Sequence, residues 1–204
     1  MTRHRLLAIF APILLLVTAC GVNSIPTAEE QAKAKWADVQ ASFQRRANLI
    51  PNLVETTRAA AASEQAILTG VTEARANATR ITVSPDQLTD PAAMQRFSEA
   101  QSRLSAAIIP LQRLQEAYPN LQSQQNFGTL MQQLESTENR INIAIRDYNE
   151  AVRGYNTEIR TFPSVIGARV IYGSQPMVPY QAVTPGAEVA PTVNFDGAVG
   201  GNKQ

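Results

Sequence analysis

Three asparagines in the last third of the chain repeat at intervals of seven residues and are the first candidates for specific chemistry. Each follows an apolar or aromatic residue, and the three are Asn142, Asn149 and Asn156. A side-chain amide both donates and accepts hydrogen bonds, so a row of amides suits the binding of a peptide or a lipid headgroup. The same row also suits a helix interface, where a buried asparagine fixes the register. The spacing therefore predicts either a partner groove or a polar ladder between helices.

A second polar group surrounds a proline in "FQRRANLIPNLVETTR", residues 43–58. Its members are Gln44, Arg45, Asn48 and Asn52. If this segment packs against the one that carries the asparagines, we expect the two groups to lie opposite each other. Glu138 and Glu150 are then potential partners for Arg45 and Arg46.

Few residues of the chain could carry out catalysis. His4 and Cys20 are the only histidine and the only cysteine, and both belong to the N-terminal segment. Two pairs of carboxylates remain, namely Glu135 with Glu138 and Asp147 with Glu150. Acidic residues three apart on a helix usually form a solvated face, and the chain has no glycine-rich phosphate loop. The sequence therefore predicts no catalytic residue, no metal site and no cofactor.

The N-terminus has the pattern of a secretory signal peptide, with Arg3 and Arg5 before an apolar run at residues 6–17. A transmembrane helix needs about 20 apolar residues, so an uncleaved anchor is the weaker alternative. Removal of the signal takes two of the 18 basic residues and leaves 16 against 17 acidic ones. Such a neutral mature chain lacks the basic excess that is typical of nucleic-acid binding.

The end of this segment, "VTACG" at residues 17–21, resembles a bacterial lipobox. The resemblance implies a signal peptide at residues 1–19, acylation of Cys20 and a lipidated tether at residues 20–26. Several acyl chains together anchor a protein stably in a membrane. Gly21 after the cysteine favours the outer membrane, facing the periplasm, in a cell that has two membranes.

Apolar residues recur at intervals of three and four along most of the remaining chain. This period predicts helices at residues 27–80, 90–118 and 130–159, and no run alternates in the way that a strand requires. The first helix is expected to start at a capping box formed by Thr27 and Glu30. Because each helix carries one apolar stripe, we predict an all-α fold, an antiparallel up-and-down bundle of three to four long helices.

Pro51 lies in the middle of the first predicted helix. A proline removes one N–H from the helix, so the carbonyl of Ala47 loses its partner. The apolar pattern keeps its phase from Ala47 to Val54, which favours a continuous helix with a kink. The alternative is a break at Pro51, which would divide the first helix in two.

Residues 163–204 are rich in proline and glycine and are predicted to form a tail, disordered from about residue 185. The part between Val165 and Val183 keeps many apolar residues. It is predicted either to extend as a contact arm or to fold back and cap the core.

Four segments resemble the LemA family of bacterial envelope proteins: "CGVNSIPTAEEQAKAKWADV" (20–39), "QRRANLIPNLVETTRA" (44–59), residues 117–163 and "MVPYQAV" (177–183). The resemblance implies a helical bundle at residues 27–162 that is tied to a membrane by its N-terminus. It implies no established activity, and the suggested roles of the family are membrane organisation and envelope stress.

We therefore predict a membrane-anchored, non-catalytic helical scaffold or binding module of the bacterial cell envelope. Its expected partners are the membrane, through the lipid on Cys20, and envelope proteins or lipids. The alternatives are a self-associating structural lipoprotein and an envelope enzyme that uses carboxylates.

Overall fold

The computed structural model describes residues 23–118 and 125–182. The predicted signal peptide, Cys20 and the tail predicted to be disordered from residue 185 lie outside these residues. Within them the chain forms five α-helices and no strand: α1 (Ser24–Ala60), α2 (Gln65–Arg80), α3 (Pro91–Ala117), α4 (Gln125–Glu158) and α5 (Ser164–Gly167). A 3₁₀ turn (Pro85–Gln87) precedes α3, and a π-helical turn (Ala168–Tyr172) follows α5. The all-α prediction is confirmed.

The four longer helices pack as an up-and-down bundle. Helices α1 and α4 run antiparallel, because Lys35 pairs with Asp147 at 3.2 Å while Arg46, further along α1, pairs with Glu138 at 3.0 Å. The first half of α1 shares a core with the start of α3, and its second half shares a core with α2 and the end of α3. The predicted bundle arrangement is therefore also confirmed.

The helix predicted at residues 27–80 is in fact two helices, α1 and α2, separated by a turn at residues 61–64. A single helix of that length would extend beyond α4, which has 34 residues. The apolar side chains in the second half of this helix would then have no neighbouring helix to pack against. Folding back buries Leu68 and Val71 of α2 against α1 and α3. The apolar period continues through the turn, so the sequence pattern alone did not reveal it.

The start of the first helix also differs from the prediction. Helix α1 begins at Ser24, so the predicted tether ends earlier than residue 26. Thr27 does not cap the helix, because its hydroxyl donates to the carbonyl of Asn23 at 2.9 Å. At α3 the predicted start is confirmed, since the Asp90 carboxylate accepts the N–H of Ala92 at 2.9 Å.

Helix α1 continues through Pro51, so the favoured prediction of a continuous helix is confirmed and the alternative of a break is wrong. The carbonyl of Ala47, which loses its helical partner to the proline, accepts a hydrogen bond from Arg75 Nε at 2.7 Å. Arg75 belongs to α2, which packs alongside. The chain therefore tolerates the proline because a neighbouring helix supplies the missing donor.

This arrangement predicts a coupling between Arg75 and Pro51. Arg75→Ala is expected to destabilise the protein by about 1–2 kcal/mol, since the Ala47 carbonyl is left without a donor. In a Pro51→Ala background the loss should be clearly smaller, because the N–H of residue 51 then reaches that carbonyl. A double-mutant cycle by urea unfolding measures the difference. Arg80→Ala, which removes an exposed arginine of the same helix, is the control, and equal losses in both backgrounds would contradict the coupling.

The core consists of two apolar clusters along the bundle axis. The first contains aromatic side chains, with Trp36 packed against Phe97 and Tyr148 at centroid distances of 5.3 and 5.0 Å. The second is mainly aliphatic and includes Leu53, Leu104 and other leucines. In α1, α3 and α4 alike, polar residues lie between the two clusters, and they form the layer around Arg46 described below.

Candidate functional site

The two predicted polar groups do not meet. The side chains of Gln44, Arg45, Asn48 and Asn52 are all exposed. Gln44 Nε2 donates to Asn48 Oδ1 at 2.9 Å within the same helix. The buried face of α1 carries Phe43, Arg46, Ala47 and Ile50 instead, so none of the four polar side chains is buried against α4. The structure therefore does not form the ladder between helices.

Two of the three asparagines bind the backbone of the C-terminal segment, residues 175–181, here called the strap. Asn149 Nδ2 donates to the carbonyl of Tyr180 at 2.9 Å, and Asn149 Oδ1 accepts the N–H of Tyr180 at 2.8 Å. Asn156 makes the same pair of bonds with Met177, both at 2.8 Å. Each amide thus satisfies the donor and the acceptor of one strap residue.

The tyrosine before each asparagine binds the strap as well. Tyr155 Oη donates to the carbonyl of Gln175 at 3.2 Å, and Tyr148 Oη donates to the carbonyl of Val178 at 2.8 Å. Gln175 lies two residues before Met177, which Asn156 binds. Val178 likewise lies two residues before Tyr180, which Asn149 binds. Burial raises the pKa of Tyr148 and of Tyr155, so both hydroxyls stay protonated donors at neutral pH. We call each Tyr–Asn pair a dyad.

The dyads hold the strap in an extended form. Seven residues of α-helix rise about 10.5 Å, and the three steps along the chain from Met177 to Tyr180 must span a similar distance. That is about 3.5 Å for each residue, close to the full reach of a chain. The N–H groups of Met177, Val178 and Tyr180 are all bonded, and the two remaining strap residues between 176 and 180 are prolines, which have no N–H.

The strap also completes the aromatic core. Met177 and Tyr180 are 5% exposed, and the Tyr180 ring lies 5.9 Å from Phe43 and 6.3 Å from Phe97, measured between centroids. On the side away from α4, Val178 N–H donates to the carbonyl of Leu88 at 2.8 Å. The strap therefore folds back onto the bundle, and the core extends beyond the predicted boundary at residue 162.

The third asparagine, Asn142, lies one heptad before Asn149 on α4. Its side chain is exposed and makes no hydrogen bond with the described residues. The residue before it is Ile141, which is buried in the core and has no hydroxyl. The row of asparagines therefore extends one heptad beyond the residues that bind the strap. Sequence reasoning found this row but missed the strap as its partner, although the prolines at every third strap position were a usable signal.

A buried arginine divides the core. Arg46 is 1% exposed, and its Nη1 donates to Ser105 Oγ at 2.8 Å and to Glu138 Oε1 at 3.0 Å. Its Nη2 donates to the side chain and the carbonyl of Gln101 at 2.9 and 3.2 Å. The guanidinium lies 5.0 Å from the centre of the Phe43 ring. The predicted pairing of Arg46 with Glu138 is confirmed, whereas Arg45 and Glu150 are exposed and form no ion pair with the described residues.

The two carboxylate pairs do not form a shared acid–base site. Glu138 binds Arg46 and Asp147 binds Lys35, while Glu135 and Glu150 are exposed. Within residues 23–118 and 125–182, no three histidine, cysteine or acidic side chains come together as metal ligands.

One end of the bundle is apolar and exposed. Among the residues that the structure describes, five of the seven exposed large hydrophobic side chains lie within residues 162–172, namely Phe162, Ile166, Val170, Ile171 and Tyr172. We call these five the apolar end. In the described part of the chain, no helix combines the length and the apolar character that a membrane span requires.

The apolar end lies beside the start of α1. Glu158 Oε1 accepts hydrogen bonds from Ser164 Oγ and from Ser24 Oγ, both at 2.5 Å. These two bonds, first that of Ser164 and then that of Ser24, hold the pKa of Glu158 below its ordinary value. The carboxylate thus joins the first residue of α1, the end of α4 and the first residue of α5.

Comparison with known protein families places the chain in a family. The protein-family model described as the LemA family matches residues 35–195, which is most of the chain. No curated protein matches the sequence. The matched range contains both dyads and the whole strap.

Proposed function

This chain belongs to the LemA family of bacterial envelope-associated proteins, and from that membership we propose that it is a membrane-anchored helical scaffold that acts by binding rather than by catalysis. The anchor is a lipid on Cys20. The partners are envelope proteins or lipids, and the location is the outer membrane, facing the periplasm, in a cell with two membranes.

One observation carries the proposal, namely that the apolar end and the start of α1 lie at the same end of the bundle. Ser24 is bound to Glu158, beside α5. Cys20 precedes Ser24 by four residues, which reach at most about 14 Å. A lipid on Cys20 would therefore hold the apolar end close to the membrane surface.

The chemistry of the apolar end suits a bilayer interface. Between residues 161 and 182 Arg169 is the sole charged residue, and it is exposed next to Val170. Apolar side chains enter the boundary between headgroups and acyl chains, while tyrosine and arginine stay near the headgroups. The bundle then extends away from the membrane, with α1, of 37 residues, about 55 Å long.

Fractionation and vesicle binding test this proposal. Cys20→Ser is expected to remove the lipid and to leave the protein soluble or as an uncleaved precursor. In the unacylated mature protein, Phe162→Ser with Val170→Ser should weaken binding to vesicles that contain anionic lipid by about tenfold or more, since both side chains are 78% exposed and available for burial in lipid.

The matched control is Ile109→Ser with Ile143→Ser, because these residues are exposed but lie outside the apolar end. The control pair should leave vesicle binding unchanged. Equal losses in the two double variants would contradict a membrane-facing apolar end. Unchanged mass and detergent partitioning of Cys20→Ser would contradict the lipid anchor.

A further inference from the structure

The two dyads of α4 repeat one recognition unit. In each unit the asparagine binds the N–H and the carbonyl of strap residue n, and the tyrosine binds the carbonyl of residue n−2. Residue n is Met177 or Tyr180, its side chain is buried, and a proline precedes it. All these hydrogen bonds go to the backbone of the strap. The groove therefore requires an extended backbone and two apolar side chains rather than one particular sequence.

We propose that this groove of α4 is a binding site for extended peptide segments of a partner protein, with proline at every third position and an apolar residue after each proline. The strap is the resident occupant, and a partner segment of the same chemistry displaces it. This inference rests on the binding role proposed above and names the chemistry of the partner.

Three features of the structure favour exchange over permanent closure. An open groove of about 630 Å³ runs beside the strap, lined by Asn149, Asn156 and Tyr180 among others, and gives an incoming segment room to approach. Asn142 is exposed on the same row and offers a further amide about 10.5 Å along the helix. Gly173, with φ of 59° and no neighbour where a side chain would lie, forms the turn just before the strap, and glycine is the residue that most readily adopts another backbone conformation when the strap leaves.

Competition between the strap and a free peptide tests the proposal. The probe is a fluorescein-labelled peptide with the sequence of residues 174–182, and its binding to the full chain is measured by fluorescence anisotropy. Since the strap occupies the groove, the apparent affinity is the intrinsic affinity reduced by the small open fraction. Met177→Ala weakens the strap alone, so this variant is expected to bind the peptide at least tenfold more tightly than the unaltered chain.

Two controls define what is being recognised. Gln175→Ala, which removes an exposed strap side chain, should leave the peptide affinity unchanged. N-methylation of the peptide at the position of Tyr180 should abolish binding, because that N–H donates to Asn149. N-methylation at the position of Ala182, at the end of the peptide, should have little effect.

Several results would overturn the proposal. Equal peptide affinity for Met177→Ala and the unaltered chain, or binding that survives N-methylation at the tyrosine position, would do so. If the protein binds no peptide and instead forms a dimer as its concentration rises, the groove binds the strap of a second copy of the chain. If Met177→Ala loses its helical circular dichroism, Val178→Ala, a milder change at a half-buried residue, decides by the same comparison. Membrane anchoring is measured separately by fractionation, so either proposal can fail without the other.

Discussion

Arg46→Ala is expected to destabilise the bundle by about 3–5 kcal/mol, because it truncates a fully buried side chain and takes away the hydrogen-bond partner of the groups around it. The substitution deletes four hydrogen bonds and leaves Gln101 and Ser105 without the guanidinium. It also opens a cavity between the two apolar clusters, which adds to the loss. Urea unfolding measures the change in the free energy of unfolding.

The matched control is Arg45→Ala, because Arg45 is the neighbouring residue on α1 but is exposed. Its effect should stay within about 0.5 kcal/mol. Arg46→Met tests the origin of the loss, since an apolar side chain of similar length fills the space without a buried charge. Equal effects of Arg45→Ala and Arg46→Ala would contradict the role of the polar layer.

Tyr180→Ala is the second change with a large expected effect. We expect a loss of about 3–5 kcal/mol, as for other buried aromatic side chains replaced by alanine. The reason is that Tyr180 closes the aromatic cluster over Phe43 and Phe97. For a chain of this size the melting temperature should fall by roughly 6–20 °C, as measured by circular dichroism at 222 nm.

Tyr172→Ala is the control for Tyr180→Ala. Tyr172 lies three residues before the strap, and its side chain is 43% exposed. Its replacement should change the free energy of unfolding by about 0.5 kcal/mol or less in the absence of membrane. If Tyr180→Ala changes the stability no more than this control, the strap does not contribute to the core and acts as a free arm.

Local features of the sequence predicted a large part of the fold. The three- and four-residue apolar period specified the helices because the buried stripe of a helix must repeat with its turn. Asp90 before Pro91 marked the start of α3, since a carboxylate there caps the free N–H groups and proline has none to lose. The motifs also pointed to the LemA family, which the family comparison then showed.

The candidate site was only half visible in the sequence. The seven-residue spacing of Asn149 and Asn156 indicated a row on one face of α4, which is a local property of a helix. Its partner could not be read from that spacing, because Tyr180 and Met177 lie 31 and 21 residues further along the chain. The exposed polar residues of α1, from Gln44 to Asn52, could not be placed from the sequence either. Nothing in the local sequence distinguishes a polar residue that faces α4 from one that faces solvent.

The sequence by itself determined that the chain is helical, where its amphipathic stripes lie and to which family it belongs, because each of these depends on residues close together in the chain. The tertiary structure decided where the first long helix turns back, how Pro51 is tolerated and what the asparagines bind. The helix turns at residues 61–64 so that α2 covers apolar surface on α1 and α3, and Pro51 is accommodated because Arg75 reaches the carbonyl of Ala47. In each case the observed conformation depends on a hydrogen-bond partner or an apolar surface from a distant segment. That contact supplies the stabilising free energy that the local conformational preference of the sequence lacks.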